Sequence, residues 1–330
     1  MTKKWSSRLT FFAFVVLMVG LGSNDSLRGI FPTIFQEHFS LTTTQLGLIV
    51  TASYIGNLVF LLVGGNLSTR FSKKRVLQVL ILIWMAALAL FAFTSNYTVL
   101  LIGMALALGS STLLNTTMNL ITPLLFATAP GFFVNFLFFT QEIGTSGSQY
   151  ILGSHADGFA FWQHTNLVLL ILGAVAFVLL LFCNVPEEAA DPADTPAQKG
   201  GYDWRIIVPY VLVFGFYFIA EHGVMNWMVA YGVDGLGLPQ ASAAKYLSVF
   251  FGGMMIGRLC LSPLVDKLGA LKSLAAFGGV SCVLYLIGSL GGAVTMPVWA
   301  ISGLSFSILY PTLVMSIRLY FPAQQVSGAA

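Results

Sequence analysis

Residues 217–227 read Y-F-I-A-E-H-G-V-M-N-W, and residues 257–272 read G-R-L-C-L-S-P-L-V-D-K-L-G-A-L-K. The first stretch has the apolar pattern of a membrane-spanning helix, yet it carries the carboxylate of Glu221. An ionisable side chain is costly inside a bilayer, so Glu221 is a functional-site candidate. The second stretch is a short charged turn between two apolar segments, as expected between consecutive spanning helices. Together they predict a helical membrane protein with a polar site inside its spans.

The composition indicates the same class. Hydrophobic residues make up 57% of the 330 residues and charged residues 8%, whereas charged residues make up ~25% of a typical soluble domain. We therefore predict an all-α membrane protein, because long apolar runs in a bilayer satisfy their backbone hydrogen bonds as helices. The net charge of +3 indicates no nucleic-acid partner. The three cysteines and four histidines show no metal-ligand spacing, so no cofactor or metal is expected.

Ten apolar segments approach or exceed the ~20 residues that a helix needs to cross the bilayer. We number them spans 1 to 10, at residues 9–35, 43–66, 76–94, 98–126, 131–154, 165–184, 205–231, 244–264, 271–290 and 296–320. Of the 15 Lys and Arg residues, all but Arg28 and Lys245 fall on one side of this layout. Because basic loops remain on the cytoplasmic side, we expect a multi-pass plasma-membrane protein with both termini in the cytoplasm.

The chain contains an internal repeat. Asp25 in span 1 and Glu221 in span 7 are 196 residues apart (221 − 25), and Gly109 and Gly303 in spans 4 and 10 are 194 apart (303 − 109). Similar offsets indicate two copies of one helical unit. We therefore predict three regions and expect two C-terminal helices to be lacking. The regions are an N-terminal six-helix bundle at 1–184, a cytoplasmic linker at 185–204, and an incomplete C-terminal bundle at 205–330 with spans 7 to 10 and the start of an eleventh.

The charged turn resembles the loop between helices 8 and 9 of the major facilitator superfamily of transporters. That loop carries glycine, aspartate, a basic residue, glycine and a further basic residue. Asp266, Lys267, Gly269 and Lys272 match, while Ser262 replaces the first glycine. The resemblance implies a two-bundle fold that moves a small solute by alternating access, without enzymatic activity. It also implies gating or structural roles for residues in or beside the loops, namely Arg70, Lys73, Arg258, Asp266, Lys267 and Gly269.

A narrower resemblance rests on span 7. Glu221 and Trp227, followed by G-G-M-M-I-G-R at 252–258, are similar to the fucose/galactose/glucose–proton symporter branch of the family. This similarity implies proton symport of a sugar or a related small polar solute. Polar edges and an aromatic face suit a polyhydroxylated ligand, and the span offers these substrate-binding candidates: Tyr217, His222, Asn226 and Trp227. The alternative for Trp227 is an aromatic residue at the membrane interface.

Span 1 carries Asn24-Asp25, a dipeptide that the symporter branch also has in its first helix. The resemblance implies that Asp25 takes part in proton or substrate coupling. Arg28 lies three residues further, so the two side chains share a helix face and can pair. The alternative is a structural ion pair in which Asp25 stays ionised and carries no proton.

Spans 4 and 5 carry further polar groups. Asn115 and Asn119 are one turn apart and can bond a sugar hydroxyl or a neighbouring helix. The symporter branch has a glutamate at the position of Asn115, which cannot titrate. Glu142 lies near the middle of span 5 with no basic residue within one turn, so it is a candidate to replace that glutamate as a proton carrier. The alternative is a protonated Glu142 that hydrogen-bonds another helix.

The sequence leaves three hypotheses for the activity. The first is a monomeric, proton-coupled importer of a small polar solute, in which Asp25, Glu142 and Glu221 couple protons. The second is a proton-coupled efflux antiporter with the same fold. The third is a truncated remnant that transports nothing.

Overall fold

The computed structural model describes residues 3–126, 130–186 and 204–320. The chain divides into two compact units, Met1–Ala189 and Ala190–Ala330, which we call unit 1 and unit 2. Most of the predicted linker, residues 187–203, lies outside the described ranges. The long regular elements within these ranges are helices, and they follow the order of the predicted spans.

In unit 1, span 1 consists of two helices, and each later span is a single helix. Pro32 begins the second helix and explains the break, because proline lacks the backbone N–H that a continuous helix requires. The helices are α1 (Lys3–Ile30), α2 (Pro32–Phe39), α3 (Thr43–Arg70), α4 (Lys73–Phe93), α5 (Tyr97–Leu125), α6 (Pro130–Ile151) and α7 (Phe159–Phe182).

In unit 2, spans 7, 8 and 9 are long helices, a short helix forms the charged turn, and span 10 is divided into three short helices. The elements are α8 (Trp204–Ala230), a π-helical turn (Tyr231–Gly235), α9 (Gln240–Cys260), α10 (Ser262–Leu268), α11 (Ala270–Leu290), a 3₁₀ turn (Ala293–Thr295), α12 (Met296–Ile301), α13 (Gly303–Phe306) and α14 (Leu309–Tyr320).

Eight stretches of the described chain are long and apolar enough to cross a membrane, and they correspond to spans 1–4, 6, 7, 9 and 10. The other two predicted spans are also helices, α6 with 22 residues and α9 with 21. They are less apolar because α6 contains Gln141 and Glu142 and α9 contains Lys245 and Arg258. The predicted all-α membrane architecture is therefore confirmed, and two of its helices carry buried or partly buried polar groups.

The internal repeat is visible in how the helices of each unit cross. In unit 1, a Cβ on Gly109 of α5 would lie 2.9 Å from the backbone oxygen of Gly56 in α3. In unit 2, a Cβ on Gly303 would lie 2.0 Å from the backbone oxygen of Phe250 in α9. These two partners are also 194 residues apart (250 − 56), so both units make the same close crossing. A side chain larger than glycine would force each pair of helices apart.

Helices α1 and α6 also approach each other through glycine, and this contact positions the polar residues of unit 1. A Cβ on Gly22 or Gly144 would lie 2.1 or 2.2 Å from a backbone oxygen of the facing helix. The hydroxyl of Thr145 donates to the carbonyl of Gly22 at 3.2 Å, and that of Ser23 donates to the carbonyl of Gly144 at 3.3 Å. Small residues and cross-helix hydrogen bonds are the usual means of helix association in a membrane.

The predicted loop residues occupy the ends of helices. Gly269 separates α10 from α11 at φ 81°, a backbone conformation that favours glycine. Lys267 is exposed at the end of α10, and Lys73 begins α4. The side chains of Arg70 and Asp266 lie outside the described part of the structure.

Candidate functional site

Asp25 and Arg28 form an ion pair on α1, as their spacing predicts. Nη1 and Nη2 of Arg28 both donate to Oδ1 of Asp25 at 3.5 Å. The Arg28 side chain is 3% exposed and that of Asp25 is 14% exposed. Oδ2 of Asp25 accepts a hydrogen bond of 3.4 Å from the hydroxyl of Ser111 on α5. The carboxylate therefore connects α1 to α5 and remains partly accessible.

A row of polar side chains continues along α5 and reaches α6. Ser111, Asn115 and Asn119 are spaced four residues apart and therefore share one helix face. Nδ2 of Asn119 donates to Oδ1 of Asn115 at 2.6 Å, and Nδ2 of Asn115 donates to Oε1 of Gln141 on α6 at 2.6 Å. The row rises ~12 Å along the helix. We call these four residues the polar ladder; Asn115, Asn119 and Gln141 are partly exposed.

Asn24 fixes the rotation of α1 that turns Asp25 towards the polar ladder. Nε1 of Trp84 on α4 donates to Oδ1 of Asn24 at 2.8 Å, and both side chains are buried. Successive helix residues point ~100° apart. An Asn24 side chain held against α4 therefore leaves Asp25 directed towards α5.

Glu142 follows Gln141 on α6 and is partly buried. Its direction differs from that of Gln141 by ~100°, so it lies on the adjacent face of the same helix. The structure thus places Glu142 beside the polar ladder, within a helix that packs on both α1 and α5.

In unit 2, Glu221 lies in a cluster of charged and aromatic side chains. Tyr217, one turn earlier on α8, and Arg258 on α9 both act on the Glu221 carboxyl group. The ring of Tyr217 stacks on those of Phe306 and Tyr310, with centroids 5.2 and 5.9 Å away. Glu221 is partly buried, so this second carboxyl group, like that of Asp25, is largely shielded from solvent but can still be reached from it.

Arg258 lies at the end of a helix, beside the charged turn. It lies in the last turn of α9, its Nε atom is buried, and its charge acts on both Glu221 and Tyr310. The sequence shows only a basic residue near the cytoplasmic end of a span. The packing of α9 on α8 brings its charge within electrostatic reach of the carboxyl group.

The remaining candidates on α8 do not join Glu221 on one face. Nδ1 of His222 lies 3.1 Å from the carbonyl oxygen of Phe218, and Nδ2 of Asn226 donates to the carbonyl oxygen of His222 at 2.7 Å. Asn226 is 1% exposed. Trp227 is six residues beyond Glu221, a rotation of ~240° around the helix. The structure therefore groups Tyr217 with Glu221 and directs Asn226 back to its own helix.

Three residues of these two sites are missing from the sequence prediction: Ser111, Gln141 and Tyr310. Ser111 has a usable signal, because it lies one turn before Asn115 on the same face. Gln141 and Tyr310 reach their partners across helix interfaces, and one sequence does not encode which helices are neighbours.

The two units, each a bundle of apolar helices with a carboxyl group held inside it, match a known transporter family. The family described as the Major Facilitator Superfamily matches residues 10–330. The chain belongs to the major facilitator superfamily. It is therefore a multi-pass membrane transporter and not an enzyme, and the resemblance seen in the charged turn is confirmed.

Relatives within the superfamily include transporters of different solutes. The L-fucose-proton symporter of Escherichia coli (strain K12) is 24% identical over 333 residues, which cover 88% of this chain and 75% of that protein. The cis,cis-muconate transport protein of Acinetobacter baylyi is 24% identical over 297 residues, which cover 83% of this chain and 70% of that protein.

A solved structure shows the same fold. The superfamily transporter FucP in its outward conformation matches with a TM-score of 0.67 at 21% identity, over 93% of this chain and 84% of that chain. At this identity the likeness shows the fold alone.

Proposed function

We propose that this transporter imports a small polar solute of the sugar class together with protons, by alternating access. The observation that carries the proposal is the polar ladder, which offers amide groups to a solute beside the carboxyl group of Asp25. Polar groups at mid-membrane depth are expensive and mark solute or ion pathways. Two relatives transport L-fucose with protons and cis,cis-muconate, respectively, which supports a small polar solute and leaves its charge open.

The residues divide into two roles in this proposal. Asp25, Glu142 and Glu221 are the groups that bind protons, because each is a carboxyl group within a spanning helix. The amides of the polar ladder hold the solute through hydrogen bonds. Arg258 balances Glu221 when that group is ionised.

The protein is further proposed to act as a monomer in the lipid bilayer of the plasma membrane, with both termini cytoplasmic. The positive-inside distribution of Lys and Arg supports this orientation. Labelling of a cysteine introduced at position 2 or position 329 by a membrane-impermeant reagent tests it: neither should react in intact cells.

Uptake into proteoliposomes tests the transport proposal. With an inward proton gradient, radiolabelled L-fucose, D-galactose and D-galacturonate are offered separately, and at least one should accumulate above its external concentration. An uncoupler should abolish the accumulation. Outward movement of solute against inward protons would support the antiporter instead, and the absence of solute flow in every case would refute the proposal.

A further inference from the structure

Arg28 is held by fewer contacts than a buried guanidinium group normally has. Its side chain is 3% exposed, and both Nη atoms share the single oxygen Oδ1 of Asp25 at 3.5 Å. Charge-assisted pairs of this type are normally ~2.7–2.9 Å long and often use two oxygens. Within the described part of the chain, Nε of Arg28 has no hydrogen-bond acceptor. Since unsatisfied donors on a buried cation are costly, this arrangement points to a ligand that completes it.

The unused edge of Arg28 has the geometry of a carboxylate receptor. Nε and one Nη of a guanidinium group form a planar fork that matches two carboxylate oxygens. A neutral hydroxyl group would satisfy one donor and leave the positive charge uncompensated. We propose that Arg28 binds a carboxylate group of the solute, and that the solute is therefore a monosaccharide acid; this inference rests on the proposed function.

The polar ladder supplies the other half of this recognition. Ser111 bonds the same carboxylate that holds Arg28, and Asn115 and Asn119 continue from Ser111 along one face of α5. The two amides are partly exposed, whereas Arg28 is enclosed. A solute that bridges Arg28 and the ladder places its hydroxyl groups on the amides and its carboxylate on Arg28, where it displaces Asp25. The pairing of an amide row with a buried cation thus fits a ligand with hydroxyls at one end and a carboxylate at the other.

The displacement explains how a paired Asp25 takes part in coupling. When the solute carboxylate binds Arg28, the contact between Asp25 and Arg28 breaks, and Asp25 loses its counter-charge in a site of low polarity. A proton from the entry side then neutralises Asp25, so one anion and one proton enter the site together. This exchange removes the difficulty that a permanently paired aspartate carries no proton.

Binding of two matched sugars to the purified full chain tests the inference by isothermal titration calorimetry. D-galacturonate and D-galactose differ only in a carboxylate or a hydroxymethyl group at C6. We expect D-galacturonate to bind at least about tenfold more tightly than D-galactose, because a charge-assisted hydrogen bond usually contributes that much affinity. Arg28→Gln should remove this preference. Arg28→Lys should keep part of it, because lysine retains the positive charge but not the two-donor geometry of the guanidinium group. Asp25→Asn should keep or strengthen the preference. Arg75→Gln, at an exposed position, is the matched control and should retain the full preference.

Each outcome decides the inference. Equal affinities in the unaltered protein, a preference for galactose, a preference that survives Arg28→Gln, or binding of neither sugar at ~10 mM would overturn it. The two affinities of the unaltered protein test the inference even if a variant does not fold. Proton-driven uptake of galactose without an acid preference would overturn the inference and leave the proposed function standing. Acid binding that depends on Arg28, without proton-driven uptake of any sugar, would support the inference and overturn the proposed function.

Discussion

Breaking the ion pair between Asp25 and Arg28 should destabilise unit 1. At an N–O distance of 3.5 Å and an effective dielectric constant of ~20, two unit charges attract each other by roughly 5 kcal/mol. Desolvation of the two groups offsets part of this attraction. Removal of one partner from such a pair is therefore expected to lower the free energy of unfolding by roughly 3–5 kcal/mol.

The two single substitutions should not be equivalent. Asp25→Asn leaves a buried guanidinium group without a counter-charge, and arginine cannot release its proton. Arg28→Gln leaves a carboxylate that is 14% exposed and can take up a proton, which limits the cost. We expect Asp25→Asn to be the more damaging change, and the double substitution to cost roughly 2–3 kcal/mol less than the sum of the two.

Denaturant titration of the purified protein in detergent, followed by tryptophan fluorescence, measures these free energies. The cycle needs the unaltered protein, the two single variants and the double variant. Arg75→Gln removes an arginine at an exposed position and should change the free energy by less than about 0.5 kcal/mol. Additivity of the single variants within about 0.5 kcal/mol would refute the pairing, and a more damaging Arg28→Gln would refute the reasoning about protonation.

Glu142→Gln should abolish proton-driven accumulation but leave solute counterflow, because an amide cannot carry a proton; accumulation that persists in proteoliposomes would contradict this role. Gly144→Leu should lower stability by about 3 kcal/mol, since its Cβ would lie 2.2 Å from a backbone oxygen of α1. Gly147→Leu on the same helix has open space at its Cβ, and thermal unfolding should show little change; equal losses would disprove the close contact. Arg258→Gln should lower the melting temperature, and adding Glu221→Gln should restore part of it, whereas additive shifts would count against their interaction.

Features that depend on local spacing could be predicted from the sequence. Asp25 and Arg28 pair because three residues separate them on a helix, and Asn115 and Asn119 bond because four do. The repeat was visible in the offset of Gly109 and Gly303, and the structure shows that both glycines make the same crossing. The helical membrane fold followed from long apolar runs, for which a bilayer permits few alternatives.

Features that depend on which helices touch could not be predicted. Gln141 bonds Asn115 only because α6 packs on α5 at that height. Arg258 has the sequence context of a loop anchor, and only the packing of its helix shows that its charge acts on Glu221. Residue type and order along the chain do not contain these relations, which arise from tertiary packing.

Proton flux through proteoliposomes tests the central claim, coupled import of solute and protons, most directly. A pH-sensitive dye is enclosed in the vesicles, and D-galacturonate or D-galactose is added outside without an imposed gradient. Proton symport predicts acidification of the lumen in step with solute entry, whichever way the protein is inserted. Alkalinisation of the lumen, or solute entry at constant internal pH, would contradict the proposed mechanism.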